Sequence, residues 1–81
     1  MATYFVVQGW QMGNRGVLIA DEPMEAPSLD AALSRARVLA TSRAGVIAFC
    51  RSGDPATGEW SDAEVLCQHG LVPRDLMELA G

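Results

Sequence analysis

The residues with the greatest capacity for chemistry lie in the second half of the chain. Cys67-Gln68-His69 sets a thiol and an imidazole two residues apart, and Cys50 lies upstream in an apolar run. A thiolate beside an imidazole is an activated nucleophile. Cys67 and His69, with Cys50 or Asp62, would also offer the ligand types that zinc accepts. Cys67 and His69 share a side only if a strand continues through both. Read more simply, Cys50 is a small hydrophobe inside a strand and His69 a surface residue at a strand end. The cysteines follow no recognised metal-ligand spacing. No catalytic residue, metal ligand or cofactor site is assigned from this set, and the chain is expected not to be an enzyme.

A second candidate is F-C-R-S-G-D-P-A-T-G-E-W, from Phe49 to Trp60. Gly53 and Gly58 have the gap of a phosphate-binding loop, but the lysine and hydroxyl residue that should follow are absent. Asp54 and Glu59 supply too few oxygens for calcium, which takes about 6–8. The turn chemistry is more specific. Asp54 can start a type I turn with its side chain accepting a backbone N–H, Pro55 presets φ, and Gly58 supplies a positive φ. The segment is therefore expected to be a hairpin turn, where a side chain at Gly58 harms folding before it harms function.

The chain has 81 residues, enough for one domain spanning 1–81. Its net charge of −4 works against generic binding to a phosphate backbone. Arg35, Arg37, Arg43 and Arg51 nevertheless fall in an acid-free stretch between two acidic flanks. They form a candidate basic patch, unless they pair with those flanks. Trp10 and Trp60 could stack on bases, yet packing in a core or an interface accounts for them better without a basic groove. No apolar run approaches the ~20 residues that span a bilayer, and no secretory leader is recognisable. The expectation is a cytoplasmic protein with no membrane contact and little affinity for nucleic acid.

These residues must be positioned by a small set of elements. Thr3–Met12 is rich in β-formers, Gly13-Asn14-Arg15-Gly16 is a turn signal, and Gly16–Asp21 returns as a second strand. Glu22–Pro27 reads as a crossover loop. Ser28 is placed as an N-cap, with Asp30 in the first helical turn. Leu29, Ala32, Leu33, Ala36, Leu39 and Ala40 then repeat at helical spacing up to Gly45. Val46–Arg51 and Asp62–Gln68 are expected to pair as a second hairpin. Pro73 opens a short helix over Arg74–Ala80. This order predicts a two-layer α+β domain: an antiparallel sheet of about four strands in two hairpins, one long helix on one face, and a short C-terminal helix.

The segments S-L-D-A-A-L-S-R-A-R-V-L-A, G-V-I-A-F-C-R-S-G-D-P-A-T-G-E-W and E-V-L-C-Q-H-G-L-V-P resemble a family of short uncharacterised bacterial proteins, alphaproteobacterial ones above all. The S-G-D-P-A-T-G hairpin is the most specific part. The resemblance implies the strand-strand-helix-strand-strand order and brings no activity or catalytic residue. Y-F-V-V followed by S-L-D-A-A-L-S-R-A is also similar to HicB-like antitoxin folds, although the proline- and glycine-bearing strand of those folds is missing.

The first sheet face expected to meet the helix carries Phe5, Val7, Leu18 and Ala20. This follows from a register that sets Gln11 opposite Gly16, Gly9 opposite Leu18 and Val7 opposite Ala20. The other face then carries Tyr4, Val6, Trp10, Val17 and Ile19, where strict alternation would have placed polar residues. The strand Val46–Arg51 is two-sided as well, with Ile47 and Phe49 on one face and Val46, Ala48 and Cys50 on the other. One helix cannot cover both faces, so the second is closed either by the C-terminal helix and the Glu22–Pro27 loop within one monomer or by a second subunit. The expected function is a non-enzymatic homodimeric interaction module with Tyr4, Val6, Trp10, Val17 and Ile19 at its interface, and a further protein partner is compatible with it. The alternative is an antitoxin-like or nucleic-acid-binding regulator that uses the arginine-bearing middle.

Overall fold

A computed structural model describes residues 2–73, and the helix expected over Arg74–Ala80 lies outside them. Within them the chain is an α+β fold of six strands and one α-helix. The strands are β1 (Ala2–Met12), β2 (Leu18–Ala20), β3 (Met24–Ala26), β4 (Gly45–Asp54), β5 (Glu59–Trp60) and β6 (Glu64–Gly70). The helix, α1, is Leu29–Leu39.

The expected four strands become six because both outer strands are broken. β1 and β4 run antiparallel down the middle, from Ala2 opposite Gly53 to Trp10 opposite Gly45. The free edge of β1 pairs first with β2 and then with β3. The free edge of β4 pairs with β5 and then β6. Each break has a local cause. Between β2 and β3 the chain passes Asp21-Glu22-Pro23, and proline has no N–H for a ladder. Between β5 and β6, Ser61 turns back on Ser52, with its N–H and its hydroxyl both donating to the Ser52 carbonyl at 2.8 Å. The stretch expected to be a plain crossover loop thus contains β3.

The first hairpin corrects the expected register. Gln11 lies opposite Ile19 and Trp10 opposite Ala20. The turn is a 3-10 turn over Asn14–Gly16, with Arg15 at φ 61° and Gly16 at φ 74°. It is closed by the Gly13 N–H donating to the Val17 carbonyl. A longer turn than a tight Gly13-Asn14 reversal displaces β2 by an odd number of residues, and an odd shift exchanges the faces of a strand. Ile19 therefore joins the side of Val7, and Leu18 and Ala20 join the side of Trp10.

The helix begins where Ser28 accepts the Ala31 N–H on its hydroxyl at 3.1 Å, an N-cap of the expected kind. It ends by Ala40, before Gly45, which opens β4 instead of closing the helix. Ala32 and Ala36 are fully buried, and their small side chains let α1 lie close on the sheet. Beneath them Val7, Ala26, Val46 and Ala48 complete the core, with Phe5, Leu39, Leu66 and Cys67 packed around it. Burying a valine such as Val7 or Val46 contributes about 1.5–3 kcal/mol. Leu66 reaches this layer because the β4–β6 register slips between Ala48, opposite Cys67, and Phe49, opposite Val65. The slip leaves Leu66 as the extra residue of a β-bulge.

Candidate functional site

Away from the helix, the sheet presents a far face whose two ends differ. At one end Ile47 is fully buried and Trp10 is 6% exposed. The chain leaving β6 comes against this end at Leu71. The Leu71 N–H donates to the Ala44 carbonyl at 2.9 Å, and a Cβ on Gly45 would run into the Leu71 backbone. The Trp10 carbonyl accepts the Ala44 N–H, also at 2.9 Å.

At the other end, Tyr4, Val6, Phe49, Arg51 and Trp60 line an open groove of about 420 Å³. Tyr4 is 37% exposed and Trp60 36%. Their rings lie 5.4 Å apart at 42°, a tilted contact within the centroid separation usual for aromatic pairs. Trp60 can reach this position because Gly53, its partner across β4 and β5, has no side chain; a Cβ there would meet the indole ring. Glu25, opposite Val6 on β3, and Arg51, opposite Tyr4 on β4, place opposite charges on the two sides of the strip. The Arg51 Nε donates to the Ser61 carbonyl at 2.9 Å, which holds the guanidinium beside the groove.

The residues expected at an interface are thus divided. Tyr4 and Val6 belong to the open strip, whereas Trp10 is buried at the covered end. Val17 and Ile19 are more than half exposed, but they sit at the first hairpin, and Ile19 lies on the helix side of the sheet. Phe49 and Trp60 complete the strip. Phe49 could be placed from its alternation with Ile47, while Trp60 depends on a cross-hairpin partnership with Gly53 that no single strand pattern reveals.

The four middle arginines are divided as well. Arg35 donates to the Glu25 carbonyl at 3.1 Å, and Arg43 pairs with Asp21 through Nε at 2.5 Å. Arg51 stands on the opposite face of the sheet, and Arg37 is exposed on α1. Asp21 is a local hub. Its carboxylate also accepts from Gln11 Nε2 at 2.7 Å, and its carbonyl accepts from Gln8 Nε2 at 2.5 Å. The Gln11 and Arg43 hydrogen bonds hold its carboxyl below the ordinary carboxylate value.

The Phe49–Trp60 segment folds as the turn its residues specify. Asp54 Oδ1 accepts the Ala56 N–H at 2.9 Å and the Asp54 carbonyl accepts the Gly58 N–H at 2.9 Å. Gly58 has φ 74°. Cys67 and His69 do share a side, because β6 runs through both to Gly70, opposite Ala48 and Val46. Cys50 faces the same side but lies opposite Glu64. Burial, and then the Glu64 charge, push its thiol above the ordinary value, so it resists forming a nucleophilic thiolate. Among the described residues, no three His, Cys, Asp or Glu side chains converge as metal ligands. No helix among them is long and apolar enough to cross a membrane.

Comparison with protein-family models, with curated proteins and with solved structures finds no match.

Proposed function

We propose that this chain is a non-enzymatic binding module that works as a homodimer, joined through the open end of its far sheet face. The observation that carries this reading is the strip of Tyr4, Val6, Phe49 and Trp60, apolar and left uncovered, with Arg51 on one side and Glu25 on the other. A two-fold axis lying in the plane of the contact and crossing β1 obliquely between Tyr4 and Val6 brings Arg51 of each copy toward Glu25 of the other. Such a patch is self-complementary, as a two-fold interface requires. Tyr4 and Trp60 are its anchors, since large aromatic side chains dominate the energetics of contacts of this kind. Trp10 has no part in it.

Sedimentation velocity at micromolar concentration tests the reading. The expected species is a dimer that Tyr4→Ala with Trp60→Ala converts to a folded monomer. The charge reversal Arg51→Glu weakens the dimer, and adding Glu25→Arg restores part of it. A wild-type chain that sediments as a monomer throughout that range overturns the proposal.

A further inference from the structure

The groove on the helix side of the sheet, between α1 and β6, carries a separate constellation. It has a volume of about 420 Å³ and is lined by Asp30, Leu33, Ser34 and Arg37 of α1 and by Cys67 and His69 of β6. We propose that this groove binds a small oxyanion, a carboxylate or a phosphate, with Arg37 and His69 as its principal donors.

Among the four middle arginines, the one in this groove stands apart. Arg35, Arg43 and Arg51 are each engaged, by the Glu25 carbonyl, the Asp21 carboxylate and the Ser61 carbonyl. Among the described residues Arg37 has no hydrogen-bond or ion-pair partner, and neither does His69. Topology places the two at one end of the groove. The short connection after α1 leads into Gly45, and Gly45 lies opposite Gly70, next to His69. The C-terminal part of α1, where Arg37 stands, is therefore at the His69 end. Ser34 precedes Arg37 by one turn on the same helical face and adds a hydroxyl donor.

Asp30 stands toward the other end, about 10 Å from Arg37 along the helix at ~1.5 Å per residue. That is about one Debye length at physiological salt, so its charge does not cancel the cationic end. A guanidinium fork matches the paired oxygens of a carboxylate or phosphate. An imidazole N–H donates in either protonation state of the ring. Leu33 and Cys67 form an apolar wall on which a short aliphatic body can rest. The groove lies on the face away from the Tyr4–Trp60 strip, so the site does not depend on the homodimer.

The experiment is a titration of the full chain, followed by NMR, with sodium phosphate and sodium butyrate. Sodium chloride at matched ionic strength is the control. The expected result is saturable shifts of Arg37, Ser34 and His69 with at least one oxyanion, with a dissociation constant in the millimolar range. The tighter of the two identifies the preferred headgroup. Arg37→Gln weakens binding at least ten-fold and His69→Gln several-fold. Arg35→Gln on the same helix leaves it unchanged. Shifts that grow linearly, that chloride reproduces, or that survive Arg37→Gln overturn the proposal.

Discussion

The two ends of the far sheet face are built from the same two strands and meet different fates. Ile47 and Phe49 are alternate residues of β4, and Trp10 and Tyr4 lie on the same side of β1. Ile47 and Trp10 are buried, whereas Phe49 is half-buried and Tyr4 more than a third exposed. The difference does not lie in hydrophobicity, since each end offers an aromatic and a large apolar neighbour. The two ends also differ in what lies against the glycines of β4. At the Trp10 end Gly45 leaves room for the Leu71 backbone, and at the Tyr4 end Gly53 leaves room for the Glu59 carbonyl and the Trp60 ring. Alternation along a strand states which side a residue takes, and a missing Cβ on the neighbouring strand decides what can lie against it.

Truncations at the two ends should separate them most clearly. Ile47→Ala is expected to cost about 3 kcal/mol, within the range for removing a buried aliphatic side chain. Phe49→Ala, although it removes more atoms, should cost about 1 kcal/mol in the isolated monomer because that ring is only partly withdrawn from water. Urea denaturation at concentrations below any association measures both, and equal costs would erase the distinction between the ends. Gly53→Ala comes next, at about 2 kcal/mol, because the added methyl displaces the Trp60 ring or shifts the Glu59 backbone. Its signature is a changed tryptophan emission in which Trp60 moves away from Tyr4 while Trp10 keeps its buried environment.

The smallest effect lies outside the far face and serves as its control. Asp21 has a folded carboxyl value below its ordinary 3.8 because Gln11 and Arg43 bond to it. The stability this contributes is fully present above the unfolded value and is lost as pH falls through the lower folded one. Acid titration of stability in the wild type should therefore be steeper below about pH 4 than in Asp21→Asn. The Ile47→Ala and Phe49→Ala costs should not change across that window. If either follows the Asp21 transition, the far face and the Asp21 hub are coupled.

Much of the fold was legible from local chemistry. Ser28 as a cap, the alanine-rich face of α1, and the Asp54-Pro55…Gly58 turn all depend on residues close in sequence, and the structure has each of them. The faces of β1 and β4 followed from alternation alone. The hairpin register did not, because the left-handed conformation of Arg15 lengthens the turn, and arginine carries no signal for it. β3 was hidden because its three residues sit among prolines and pair with a distant part of β1. At the candidate interface Tyr4 and Val6 were readable. Trp60 was not, because its position is decided by the absent side chain of Gly53. The shared side of Cys67 and His69 depended on where β6 stops, and strand ends are set by pairing partners more than by their own residues.

The central pairing has a consequence for how the chain is made. Ala2 meets Gly53 and Trp10 meets Gly45, so the longest ladder among the described residues joins two strands about 35–50 residues apart in the chain. As the chain emerges from a ribosome, β1, β2, β3 and α1 are complete while the inner edge of β1 still has no β4. That edge is a long row of unsatisfied amides and carbonyls in an apolar strand. Closing it requires the ends of a large loop to meet, so the entropy of closure comes before most of the stabilising contacts. The nascent first half is therefore exposed to strand-to-strand pairing until β4, which ends at Asp54, has emerged and closed on β1.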